Sequence, residues 1–400
     1  MQTPRPPPPT WLMGLGFFPL GAAGSVTLIT VPQLLAANHV PEQQIAASTA
    51  IILIPGFISF VISPLLDWRY SRRAYSIVFA VLGAIGQFAA LAFIHDLKLV
   101  TACLFVAMFA ISMNVSAVGG WFGNQTQTEK KDALGAWFTV ANLGAGGVVA
   151  TIAIYLLRGL PYLLGDLLLA LTILGAIPLY LWVDCPPADG RLASESFRAF
   201  VRDVAALLKK PSVLWTLLLF VAPCASFALT NLIGGLGRDF HTPETMVGFI
   251  GGVGVSVAGI IGSLLVPPLA RRIEPRALYL MIGMVGAAFS LSLIGLGRTP
   301  ATYAAASLGE NIFQAASFSV SYAITLRTIG HENPLAATQF GLLTAAGSLP
   351  LAYMQAIDGH FYGMMGGASG SFLADAAISA AGCAVLGLLF WALRRTIPKI

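Results

Sequence analysis

The chain has 400 residues, of which 57% are apolar and only 10% charged, whereas a globular surface needs roughly 25% charged residues to face water. A soluble fold is thereby excluded and a helical membrane protein expected. The formal net charge of +5 does not point to nucleic acid, because the basic residues sit in short loops between apolar runs and form no basic face.

A helix needs about 20 apolar residues to cross a bilayer core, and the apolar runs can be taken in chain order on that scale. Residues 1–10 form a proline-rich tail (Pro4, Pro6 to Pro9), extended in conformation. The run at 11–37 is too long for a signal-peptide core and is taken as a first span. Further spans are expected at 45–65, 74–94, 99–123, 134–157 and 161–183, closing an N-terminal bundle over 11–183. A charged loop at 184–210 follows, then spans at 211–236, 245–270, 277–296, 301–326, 335–357 and 372–393, a C-terminal bundle over 211–393 before a tail at 394–400. The expected fold is all-α, with twelve transmembrane helices in two pseudo-symmetric six-helix bundles.

Alternating sides along that topology sorts the cations unequally. The side holding both termini, the central loop, Arg69, Arg72, Arg73, Lys130, Lys131, Arg271, Arg272, Arg276 and Arg327 carries 18 Lys and Arg; the other carries only Lys98, Arg158, Arg238 and Arg298. The positive-inside rule then puts both termini in the cytoplasm. The halves also repeat: a Pro/Arg-rich loop follows span two from Ile62 and another follows span eight from Val266, 204 residues later. Asp166 and Asp375 are likewise 209 apart, each near the outer end of its span where water is expected to reach it.

Glu310 is the sharpest single candidate. It lies roughly 13 Å into span ten at 1.5 Å per residue, and a carboxyl at that depth is a functional hypothesis by default. Tyr303, Ser307, Glu310, Gln314, Ser317 and Ser321 recur every three or four residues, one polar stripe that lipid would not tolerate. Glu310 is therefore read as the proton-coupling residue, with a substrate cavity along the stripe. Asn311, Asn114, Trp121, Asn231 and Gln33 are cavity candidates that serve equally as interhelical hydrogen bonders. The cysteines (Cys103, Cys185, Cys224, Cys383) have no paired or metal spacing. No HExxH motif or nucleophile elbow occurs, so no enzyme, metal or cofactor is expected.

The 63–73 loop resembles the loop motif between spans two and three of the major facilitator superfamily. Asp67, Arg72 and Arg73 match; Ser63 and Ser71 stand where glycines are usual, and the first basic residue is displaced to Arg69. The resemblance implies a conformational latch of Asp67, Arg69, Arg72 and Arg73, and a binding site between the halves. Within that superfamily the chain resembles the AmpG-like branch of muropeptide permeases, siderophore permeases and acetyl-CoA transporters. The resemblance rests on 14–21 and 31–35 in span one, on 64–67, on Glu310 with Asn311, and above all on 336–343. It departs at Ser59, where a lysine is common, and at 123–129, which lacks an acidic segment. The implied function is proton-coupled uptake of an amphipathic small molecule (a muropeptide, siderophore or peptide conjugate) across a bacterial inner membrane, by a monomer. An exporter and a non-transporting membrane sensor are the alternatives.

Overall fold

The computed structural model describes residues 8–186 and 197–393; the tail at 394–400 and most of the tail at 1–10 lie outside them. Helices α1 (Thr10–Ala37), α2 (Gln43–Val61), α3 (Arg72–Ala92), α4 (Leu97–Gln125), α5 (Lys131–Gly159) and α6 (Leu163–Trp182) come first. After α7 (Phe197–Leu208) come α8 (Pro211–Val221), α9 (Leu229–Ile233), α10 (Glu244–Ala270), α11 (Pro275–Ile294), α12 (Pro300–Ile329), α13 (Ala336–Met365) and α14 (Ala368–Ala392).

Among the described residues, ten helices are long and apolar enough to cross a membrane. The remaining two spans differ for physical reasons. Helix α12 is 30 residues long, but its polar stripe lowers its hydropathy. The span expected over 211–236 is broken: α8 stops at Val221 and α9 resumes only at Leu229. Pro223 forces the residue before it out of the helical region, and Ala222 is extended at φ −74°, ψ 149°. Phe227 then turns back with a left-handed φ of 48°. The expected central loop also contains a helix, α7, which meets α8 at a 65° bend.

Two further helices carry π-turns beside proline or glycine. A π-turn at Val26–Thr30 precedes Pro32 in α1, and a second over Ile250–Gly254 spans a glycine-rich stretch of α10.

The chain forms two compact units, and their borders do not follow its midpoint. Unit 1 holds residues 1–130, 141–207 and 329–345; unit 2 holds 131–140, 208–328 and 346–400. Helices α5 and α13 therefore contribute to both. In unit 1, α3 packs along α4, and Asn114 of α4 reaches across to donate to the Ser76 carbonyl at 2.7 Å. In unit 2, α11 packs along α14, and an apolar cluster with Phe240, Tyr303 and Phe372 closes one end.

Candidate functional site

Glu310 sits ten residues past the start of α12, about 15 Å along the helix, and is fully buried at 0% exposure. Ser290 of α11 donates to Glu310 Oε1 at 2.5 Å, while Glu310 Oε2 is buried without a partner. The same Ser290 hydroxyl lies 3.1 Å from the Gly286 carbonyl. A hydroxyl carries one proton, so Ser290 serves one of these acceptors at a time. If its proton goes to Gly286, the short contact is satisfied by a protonated Glu310 donating to Ser290 Oγ. If Glu310 is ionised, Ser290 must turn its proton to the carboxylate.

The rest of the stripe on α12 is engaged mainly with backbone. Gln314 Nε2 donates to the Phe227 carbonyl at 3.3 Å and to Thr230 Oγ1 at 2.5 Å, and Ser317 Oγ donates to the Ala225 carbonyl at 2.9 Å. Ser317 thus satisfies a carbonyl in the break between α8 and α9, as irregular backbone at membrane depth requires, while Gln314 adds a further donor to a Phe227 carbonyl that already accepts from the Thr230 amide and hydroxyl. Asn311 and Ser321 bond to their own helix, at the Ser307 and Phe318 carbonyls. Tyr303 packs into the apolar cluster at the helix start. Exposed Asn231 bonds Gln355 Oε1 at 3.2 Å.

In unit 1, Asn114 is buried between Ser76 and Tyr180, and Trp121 donates to the Asp184 carbonyl at 3.2 Å beneath Arg73. Gln33 is exposed. These residues belong to unit 1, whereas Glu310 belongs to unit 2.

Two aspartates differ from expectation. Asp166 and Asp375 are not water-accessible: they are 1% and 2% exposed, each with one oxygen unpartnered. A third aspartate was not a candidate at all. Asp358 is fully buried with both oxygens unpartnered; the expected span ends at 357, whereas α13 continues to Met365.

The four residues expected to form a latch all lie in unit 1. Asp67 Oδ2 accepts from the Thr338 amide and hydroxyl, both at 2.7 Å, and Oδ1 from the Ala337 amide at 3.2 Å. It thus caps the positive N-terminus of α13. Arg72 pairs with Asp67 at 2.7 Å and donates to the Asn333 and Pro334 carbonyls. Arg73 donates to the Val183 carbonyl. Arg69 does not join them: with a left-handed φ of 69° it is exposed, 5.9 Å over the Tyr70 ring.

Unit 2 holds a second ionic group at the start of α5, where Arg327 pairs with Asp132 at 2.6 Å and buried Lys131 donates to the Leu326 carbonyl at 2.7 Å. The topological tally counts Lys131 as a loop cation, so nothing local marks this contact.

The sequence profile of the Major Facilitator Superfamily matches residues 13–234, more than half of the chain. No curated protein sequence matches. The fold is similar to a crystal structure of the E. coli fucose:proton symporter FucP, with TM-score 0.70 and 15% identity over 95% of this chain and 98% of that one. It is similar also to the human organic anion transporter MFSD10, with TM-score 0.71 and 14% identity over 94% and 98%. A bacterial homologue of the iron transporter ferroportin matches with TM-score 0.67 and 15% identity over 96% and 99%. At such identities the likeness is one of fold.

Proposed function

We propose, from the premise that this chain belongs to the Major Facilitator Superfamily, that it is a proton-coupled secondary transporter with Glu310 as its proton carrier. The carrying observation is a fully buried carboxyl with one oxygen on Ser290 and the other unpartnered. Ionising it there leaves a charge with one hydrogen bond in an apolar interior, which is costly. Glu310 is therefore neutral while enclosed and gives up its proton only when a change of conformation brings water or substrate to it. The Ser290 hydroxyl follows the change by turning from the Gly286 carbonyl to the carboxylate. Coupling arises because loss of the proton and exposure of the site favour one another.

The substrate class we propose is an amphipathic small molecule of the muropeptide, siderophore or peptide-conjugate kind, taken up across a bacterial inner membrane with both termini in the cytoplasm. The similarity of Glu310 with Asn311, and of 336–343, to the AmpG-like permeases supports that class. The test is uptake of a radiolabelled anhydro-muropeptide and of a ferric siderophore into proteoliposomes, with and without an inward proton gradient. The wild type should accumulate one of them faster with the gradient, and Glu310→Gln should be indifferent to it. Uptake that ignores the gradient in both proteins rejects proton coupling through Glu310. Accumulation only when the gradient is reversed makes the protein an exporter.

A further inference from the structure

We infer that Asp358 and Asp375 form, with Glu310, a proton relay leading from the α13–α14 turn into unit 2. The inference rests on the reading of Glu310 as a proton site and adds the path by which protons reach it.

The three carboxyls come from three helices that meet at one end of the unit. Asp358 lies seven residues before the end of α13 and Asp375 seven after the start of α14, so both are about 10 Å from that turn. Glu310 lies one helical turn deeper, about 15 Å from the start of α12. The ends are held together by Phe240 against Tyr303 and Phe372, by Arg298 donating to Ser369, and by Ser371 donating to the Asp358 carbonyl at 2.8 Å. The three carboxyls therefore lie at similar depths on helices that pack together at this end.

Exposure is 0%, 0% and 2% for Glu310, Asp358 and Asp375, yet Glu310 Oε2, both Asp358 oxygens and Asp375 Oδ1 have no partner. Three like charges cannot be enclosed this way, so the group must carry protons. Among the described residues no ion pair to these three carboxyls is seen. Helix α11 contributes Ser290, α12 contributes Tyr303, and the Asp239 carboxylate at the same end accepts from Tyr362 at 3.0 Å. Two cations lie at that end: Arg238 beside Asp239 in the chain, and Arg298 over the Phe240 and Phe372 rings at 4.8 and 5.7 Å. Among the described residues no three acidic, His or Cys side chains converge as a metal site would require. In each hop a protonated carboxyl gives its hydroxyl proton to a neighbouring carboxylate, directly or through a water, leaving the charge of the pair unchanged.

The test is hydrogen–deuterium exchange of protonated carboxyls, followed by infrared difference spectroscopy of the full chain in nanodiscs. The Glu310 band is the one lost in Glu310→Gln. On transfer to D2O, Asp358→Asn and Asp375→Asn should each slow its exchange several-fold, because each removes a proton-carrying group from the path. Asp358→Glu, which keeps a carboxyl, should restore it, and carries the comparison with Asp375→Asn if Asp358→Asn does not fold. Unchanged exchange in these variants overturns the relay while leaving Glu310 as a proton site. Absence of any Glu310 band in the wild type overturns both.

Discussion

Asp67 carries more of the architecture than any other single side chain outside the Glu310 group. It is 5% exposed, yet it accepts from two amides, a hydroxyl and a guanidinium. Replacing it by Asn keeps the shape but removes the charge that faces both the α13 N-terminus and Arg72. The expected loss is about 2 kcal/mol, since charge-assisted bonds are roughly twice as strong as neutral ones. Thr338→Val removes one hydroxyl bond and should cost about 1 kcal/mol. Thermal unfolding in detergent compares them; an Asp67→Asn protein as stable as Thr338→Val would remove the case for a charged latch. The loop pattern places Asp67, Arg72 and Arg73 together, and only Arg69 departs, because its backbone turns left-handed. The same contacts involve the 336–343 segment. Thr338 and Ala337 receive Asp67, and Gly341 meets Ser63 and Ser116 so closely that a Cβ would lie 2.9 Å from each.

Among the elements, the broken span and the stripe of α12 explain one another. Hydropathy registers that α8 and α9 are apolar and that α12 has a polar face. Its sums do not distinguish a face turned to water from one turned to unsatisfied carbonyls. Pro223 was the local signal for the break, and its cost is met by Gln314 and Ser317 across the helix packing. Interhelical hydrogen bonds in membranes average about 0.6 kcal/mol and reach about 1.7. Gln314→Leu, which loses two, should destabilise by about 1–3 kcal/mol and raise amide exchange around 225–230. Ser321→Ala, whose hydroxyl bonds only its own helix, should change neither. Equal exchange in both variants would mean that the stripe does not hold the break.

At the scale of the whole molecule, hydropathy makes ten of the twelve expected spans legible, whereas the two halves divided at 184–210 that the charge tally and the repeats suggest remain an expectation. The exchange of 131–140 and 329–345 between the units is not legible, because it depends on partners some 195 residues apart. Small residues permit it. A Cβ on Gly120 would lie 2.5 Å from the Ala337 backbone, and one on Gly135 2.7 Å from that of Ala323. The ionic group on α5 gives this exchange a signed test. Lys131 is fully buried and feels the charge of Arg327, and Asp132 is the carboxylate paired with Arg327. Asp132→Asn leaves two cations facing each other and should cost about 3 kcal/mol or more, as breaking a buried pair does. Arg327→Gln leaves Asp132 with Lys131 nearby as a cation and should cost less. The double variant should fall below the sum of the two, since the residues share one network. A thermal-unfolding cycle on the three proteins decides the matter. If Asp132→Asn is the milder of the two single changes, Lys131 does not take part in the group. The contact would then be a simple pair at the start of α5.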